Sequence, residues 1–120
     1  QPSSLPRTMV GASARLIELA SVVARLQAVC PWTQAQTARD MLDFTRKELV
    51  EAEEIIDGIE DTRNIGGNDK LTSELGDILF DALMLVHACE REHGSAPIEG
   101  VCESAIAKLR RRAPYAFEGG

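Results

Sequence analysis

Apolar residues recur every three or four positions along most of this chain, and the interruptions fall at prolines, glycines and small polar residues. From Ala12 to Val29, the residues Leu16, Ile17, Leu19, Ala20, Val23 and Leu26 form one helical stripe, and Pro31 stops it near Cys30. A second helix is expected to open at Thr33, with Gln36 three residues later in capping-box form, or at Thr37 with Asp40. It runs to about Ile59, with packing positions at Met41, Phe44, Leu49, Ala52, Ile55, Ile56 and Ile59. Asn64, Gly66, Gly67 and Asn68 mark a connecting loop. Asn68 or Asp69 caps a third helix, whose stripe of Leu71, Leu75, Ile78, Leu79, Ala82, Leu83 and Val86 is the strongest in the chain. Gly94 sits where helices usually end. Pro97 suits the first turn of a fourth helix, with Glu99 near its N-terminus, and Pro114 stops it after about Arg112.

Four helices joined by short connections predict an all-α, four-helix bundle. Residues 1–11 hold Pro2, Pro6 and Gly11 and read as a flexible lead-in, which leaves 12–118 as a single helical domain. Composition agrees with this: aromatics are only 4% and no β-branched alternating run occurs, while a hydrophobic content of 44% argues against a disordered tail. No apolar stretch is long enough to span a membrane. The net charge of −6 disfavours polymeric nucleic acid, because binding phosphate backbones depends on Lys and Arg. Three cysteines, Cys30, Cys89 and Cys102, without C-x-x-C spacing give neither a disulfide framework nor a zinc site, and fit a reducing compartment. A cytoplasmic location is expected. The first 17 residues lack acids and the chain does not open on Met, so a trimmed organelle transit peptide is the alternative.

Charge changes the picture where it interrupts the stripes. Glu48-Leu-Val-Glu51 and Glu74-Leu-Gly-Asp77 each place two carboxylates three residues apart, on one helix face. The two pairs lie on the two long helices, and antiparallel packing turns them toward one groove. Single Glu-x-x-Glu repeats are commonly just solvated. Here Gly76 stands between two of the acids, at a cost of about 1 kcal/mol against Ala in a helix, and Asp81 adds an acid one turn further on. Crowded carboxylates repel and resist desolvation, and oxygen-only donors suit a hard cation, Mg2+ or alternatively Mn2+. Such an ion bridges phosphate oxygens and acidifies bound water. The chain has no Gly-rich phosphate loop, so the metal must hold the phosphates.

With these motifs in order, the sequence resembles the MazG family of all-α nucleoside triphosphate pyrophosphohydrolases. The family pattern of Glu-Glu-x-x-Glu, a spacer and Glu-x-x-Asp meets Lys47-Glu48-Leu-Val-Glu51 and Glu74-Leu-Gly-Asp77. Cys30-Pro31-Trp32 with Gln36-Thr37, and Lys108-Leu-Arg-Arg-Arg-Ala-Pro-Tyr-Ala-Phe117, match its opening and closing signatures. Lys47 replaces the first Glu, and Tyr115 stands where many relatives have His. The resemblance implies cleavage of NTP or dNTP to the monophosphate and pyrophosphate, as nucleotide-pool housecleaning. It implies Mg2+ on Glu48, Glu51, Glu74 and Asp77, with Glu48 or Glu51 deprotonating the attacking water. Lys108 and Arg112 are then phosphate contacts, against a bland reading as compensation of a helix dipole. Trp32 is a stacking surface for the base, against a reading as a loop anchor. Asp81 either adds a ligand or is solvated.

Other readings stay open at this level. A phosphoribosyl-ATP pyrophosphohydrolase or a dUTPase-like relative is the alternative enzyme, with Cys30-Pro31-Trp32 and the Lys/Arg-rich tail favouring the MazG reading over both. Glu90-Arg-Glu-His93 has the Glu-x-x-His form of di-iron bundles, but occurs once at a helix end, and His87 reads as a packing residue. A non-enzymatic acidic helical module predicts no stabilisation by divalent ions. Two long amphipathic helices in so short a chain leave an apolar face uncovered, so helices are expected to pack between subunits of a homodimer or homotetramer.

Overall fold

The prolines and glycines that punctuate the sequence do terminate helices. The computed structural model describes residues 7–62, 68–94 and 96–117, and among these residues there is no strand. Five helices follow in order: α1 (Arg7–Val29), α2 (Pro31–Ala35), α3 (Ala38–Thr62), α4 (Asn68–His93) and α5 (Ile98–Arg112). A single 3-10 turn, Pro114–Ala116, closes the described chain. No described helix is long and apolar enough to cross a membrane.

The boundaries differ from the sequence expectations in three places. Helix α1 begins at Arg7, so residues 7–11, expected to be flexible, are helical; residues 1–6 lie outside the described chain, as does most of the expected loop at 63–67. Cys30-Pro-Trp does not merely separate two helices. Cys30 is the N-cap residue of the short α2, with Pro31 in the first position, where its missing N–H is harmless. Thr33 is therefore buried within α2 rather than capping the long helix. The cap of α3 is the Thr37–Asp40 pair: the Thr37 amide donates to the Asp40 carboxylate and the Asp40 amide to the Thr37 hydroxyl, both at 3.0 Å. Pro97 stands at the N-cap of α5 rather than in its first turn. Gly94 ends α4 at φ 65°, the left-handed conformation that favours glycine.

Helices α3 and α4 form the central pair and run antiparallel. Ala38 of α3 donates its amide to Glu92 of α4 at 2.8 Å, Met41 packs with Met84, and Glu48 approaches Glu74 and Asp77. Position advances along one helix as it recedes along the other. Helix α1 adds Val23 to the Met41–Met84 core, and Leu19, Phe44, Phe80, Leu83 and Leu85 surround it. Arg91 ties the ends together, donating to the Gln27 side chain and the Gln36 carbonyl.

The buried face of α4 is not the leucine stripe that the sequence displays most strongly. Leu75 and Leu79 are each 47% exposed, whereas Asp81, Met84 and Ala88 are buried. Glu74, Asp77, Asp81, Met84 and Ala88 recur at alternating steps of three and four, the spacing of a helix–helix seam. Helix α4 thus carries two stripes, and one chain fills only the more polar of them. The same holds for α1, where Leu16 and Ile17 of the predicted stripe are exposed, and for α3, where Leu49 and Ile56 are.

Candidate metal centre

The seam between α3 and α4 changes character along its length. At one end Met41 and Met84 are fully buried. Two turns along α3, Glu48 replaces a hydrophobic residue, and on α4 Asp81, Asp77 and Glu74 do the same. The antiparallel pairing brings Glu48, Glu74 and Asp77 together, with one carboxylate oxygen of each within 4.8 Å of the others. Glu48 and Glu74 are half-buried and Asp77 is exposed, so the group opens to solvent on one side.

Two features make this more than a solvated acidic patch. Oxygens of Glu48 (Oε2) and Glu74 (Oε2) are buried without a hydrogen-bond partner, as is Oδ2 of Asp81. Native proteins seldom leave buried charged oxygens unpaired, because desolvation without compensation is expensive. Burial pushes the Asp81 carboxyl above the usual carboxylate range, with the charges of Asp77 and then Glu74 acting in the same direction. The residues fit a small hard cation. An octahedral ion of the Mg2+ class holds ligand oxygens about 3 Å apart in adjacent positions and about 4 Å apart across the centre. The observed oxygens, within 4.8 Å of one another, lie close to that range, and the orphaned oxygens would serve as donors.

The other sequence candidates fall in different places. Glu51 is not in the converging group: it is exposed, beside a shallow depression shared with Arg46, Lys47, Val50 and Glu54. One residue on, Ala52 takes the inward position. Lys47, which interrupts the acidic motif, is exposed with its ammonium 6.0 Å from the Phe44 ring centroid. Trp32 is 52% exposed, and its ring leans on Phe44 at 6.3 Å between centroids, tilted by 50°. Phe44 packs against the dry core and lies one turn before Glu48, so the half-open indole stands on the dry side of the boundary between the core and the acids. Lys108 and Arg112 are exposed on α5, whose main helical contact is α4. Lys108 borders a depression with Gly100, Val101 and Ser104, and neither cation forms an ion pair among the described residues. His87 is partly buried on α4, and His93 is exposed at its C-terminal end.

The residue that sequence reasoning left undecided is Asp81. Its burial was signalled only by its place in the seam spacing with Asp77 and Met84, and an acid there contradicts the hydrophobic pattern that is normally used to find buried positions.

Comparison with known proteins bears on the whole arrangement. Residues 33–117 match the model of the MazG nucleotide pyrophosphohydrolase domain. A nucleoside triphosphate pyrophosphohydrolase of Escherichia coli is 33% identical over 90 residues, covering 73% of this chain and 30% of that protein. One from Mycobacterium tuberculosis is 31% identical over 107 residues, covering 88% of this chain and 30% of that protein. The chain therefore spans about a third of the length of these relatives. A MazG-related protein from Thermotoga maritima has a similar fold, with a TM-score of 0.69 over 86% of this chain and 83% of that one at 23% identity. The matched segment starts inside α2 and runs through the closing 3-10 turn, so it takes in both acidic helices, and the chain belongs to the MazG nucleotide pyrophosphohydrolase family.

Proposed function

We propose that this chain hydrolyses nucleoside triphosphates between the α and β phosphates, releasing the monophosphate and pyrophosphate, with Mg2+ or Mn2+ held by Glu48, Glu74 and Asp77. The observation that carries this reading is the convergence of orphaned, half-buried carboxylates from two helices in a chain of this family. A bound divalent ion supplies positive charge to the phosphate oxygens and acidifies water. The chain's own residues do the rest. Glu48 and Glu74 are half-buried in the seam, which narrows the positions that their oxygens can take. Glu48 or Glu51, one turn apart on α3, accepts the proton of the attacking water. The water oxygen bonds to the α-phosphorus, the bond from that phosphorus to the bridging oxygen breaks, and pyrophosphate leaves. The open half of Trp32 offers a stacking face to the base, and Lys108 and Arg112 contribute charge toward the phosphates.

A homodimeric or larger state is part of the same reading. The chain exposes 9013 Å², whereas a compact monomer of this mass exposes about 6,400 Å². Its radius of gyration is 17.1 Å, against about 13.6 Å for a compact domain of this length. Apolar side chains are open on three helices, Leu49 and Ile56 on α3, Leu75 and Leu79 on α4, and Leu16 and Ile17 on α1, and a second copy would cover them. A monomeric mass in sedimentation equilibrium at micromolar concentration would refute this part.

Pyrophosphate release from a panel of NTPs and dNTPs with Mg2+ tests the activity. In Glu74→Gln, which keeps the shape and removes the charge, turnover is expected to fall about 100-fold or more, equivalent to about 2.7 kcal/mol of transition-state stabilisation. Unchanged turnover in that variant would reject the ligand assignment.

A further inference from the structure

Asp81 is the one acid in the seam that the proposed reaction does not use. It is 6% exposed, and its Oδ2 has no hydrogen-bond partner. It follows Asp77 by one turn and precedes the fully buried Met84 by three residues, so it stands between the open acidic group and the dry core. On the seam it also follows Glu74 by two turns, and its burial sets it on the core side of that group rather than apart from it. It is not itself among the three residues whose oxygens converge.

Polar groups elsewhere along the seam are committed to other partners. Thr45 donates its hydroxyl to the Met41 carbonyl at 2.6 Å. The Gln27 amide is turned to the Met84 sulfur at 3.2 Å. Arg91 is engaged with Gln27 and Gln36, and the Lys47 ammonium lies over Phe44. A buried carboxylate left this way normally loses to a hydrophobic residue of similar size. In a seam otherwise filled by Met41, Ala52, Met84 and Ala88, an Asp at this position makes physical sense if positive charge sits in front of it.

We propose that Asp81 is a positioning residue for the cation: a fourth carboxylate, set behind Glu48, Glu74 and Asp77, that raises the site's affinity for a hydrated divalent ion from the core side. This rests on reading that site as a metal centre. Carboxylates outside the ligand set act on a metal through its ligands and its water, and losing one typically lowers metal affinity about 10- to 100-fold.

The test compares the wild-type chain, Glu74→Gln and Asp81→Asn. Free Mn2+ is followed by electron paramagnetic resonance during titration, and thermal melts are recorded with and without Mn2+. Asp81→Asn is expected to bind Mn2+ at least about 10-fold more weakly than wild type, while its metal-free melting temperature rises because an unpaired buried charge is gone. Asp81→Ala, read by the same Mn2+ titration, stands in if the Asn variant does not fold. A merely structural Asp81 would instead leave Mn2+ affinity within about twofold of wild type and lower both melting curves together, and that result overturns the proposal. If wild type itself takes up no Mn2+, the metal-centre reading falls, and Asp81 with it. If wild type binds, Glu74→Gln does not and Asp81→Asn matches wild type, only the Asp81 assignment is lost.

Discussion

The two halves of the α3–α4 seam share the same helices and the same alternating three-and-four spacing, yet hold opposite chemistry. Toward the α3 N-terminus and the α4 C-terminus the seam is dry, with Met41 and Met84 almost entirely shielded and Val23 of α1 closing the cluster. Toward the other end the same positions hold Glu48, Asp81, Asp77 and Glu74. The dry half gains from burial and dispersion. The acidic half works against folding in the absence of a cation, because like charges approach within 4.8 Å, a repulsion of about 1 kcal/mol per pair even at the dielectric of water. The acidic half adds little packing of its own, so the dry half must hold the helices in register for both.

That division predicts where a single substitution does most damage. Met84→Ala removes a fully buried side chain from the centre of the dry cluster, and is expected to lower stability by about 2 to 5 kcal/mol. Chemical denaturation of the purified variant measures this directly. A loss below about 1 kcal/mol would break the comparison, since the dry half would then not be the anchor. The core of one chain is small, with only five buried hydrophobic residues among those described, so one cavity there removes a large share of the packing.

The difference between the halves also separates what the sequence made legible from what it did not. Helix ends were readable because punctuation is local: Pro31, Gly94, Pro97 and Pro114 act through their own backbone, and Thr37 with Asp40 forms a cap within one turn. The all-α class followed from the same periodicity. Which stripe of α4 turns inward was not readable. Hydropathy favours the face with Leu75 and Leu79, and the chain buries the one with Asp81, Met84 and Ala88. A helix with apolar residues on two faces can bury either one, and a periodicity argument sees only their sum. Of the candidate acids, Glu48, Glu74 and Asp77 converge, but Glu51 does not. A step of three residues swings about 60° from the starting face, since 3.6 residues make a turn, and on α3 that swing carries Glu51 onto the flank. The placement of Lys108 and Arg112 depends on how α5 sits, which no local motif encodes.

A smaller effect sharpens the contrast from the dry end. That end is closed by the Thr37–Asp40 cap and by the Glu92 carboxylate accepting the Ala38 amide. Thr37→Ala is expected to lower stability by about 1 kcal/mol. The cap also has a pH signature. The Thr37 amide, and after it the Thr37 hydroxyl, hold the Asp40 carboxyl below its ordinary value. For an acid whose folded-state pKa is depressed, the stabilisation is complete above the unfolded value and is lost as pH falls through the folded one. The loss therefore falls below about pH 4, where the free carboxyl titrates. Melting temperatures taken from pH 6 down to pH 2.5 should show Asp40→Asn with a shallower acid limb than wild type. Parallel limbs would mean that the cap adds nothing to acid sensitivity.

The smallest change addresses the acidic half, at Gly76 between Glu74 and Asp77. Glycine within a helix is unfavourable by about 1 kcal/mol against alanine, and this glycine is not required by its own chain: a Cβ built there meets nothing within 4 Å. Neither backbone conformation nor packing of the single chain explains it. What remains is an approach from outside, by nucleotide or by a second copy, to the exposed side of α4 that flanks the acidic seam. Gly76→Ala should therefore separate stability from function, raising the unfolding free energy of the chain by up to about 1 kcal/mol while weakening what comes close on that side. Nucleotide approach would show as a higher KM with a native-like sedimentation profile, and subunit approach as weaker self-association. A variant that is more stable with unchanged KM and unchanged assembly would show that the glycine serves neither, and that the open side of the acidic half is bounded further along the seam.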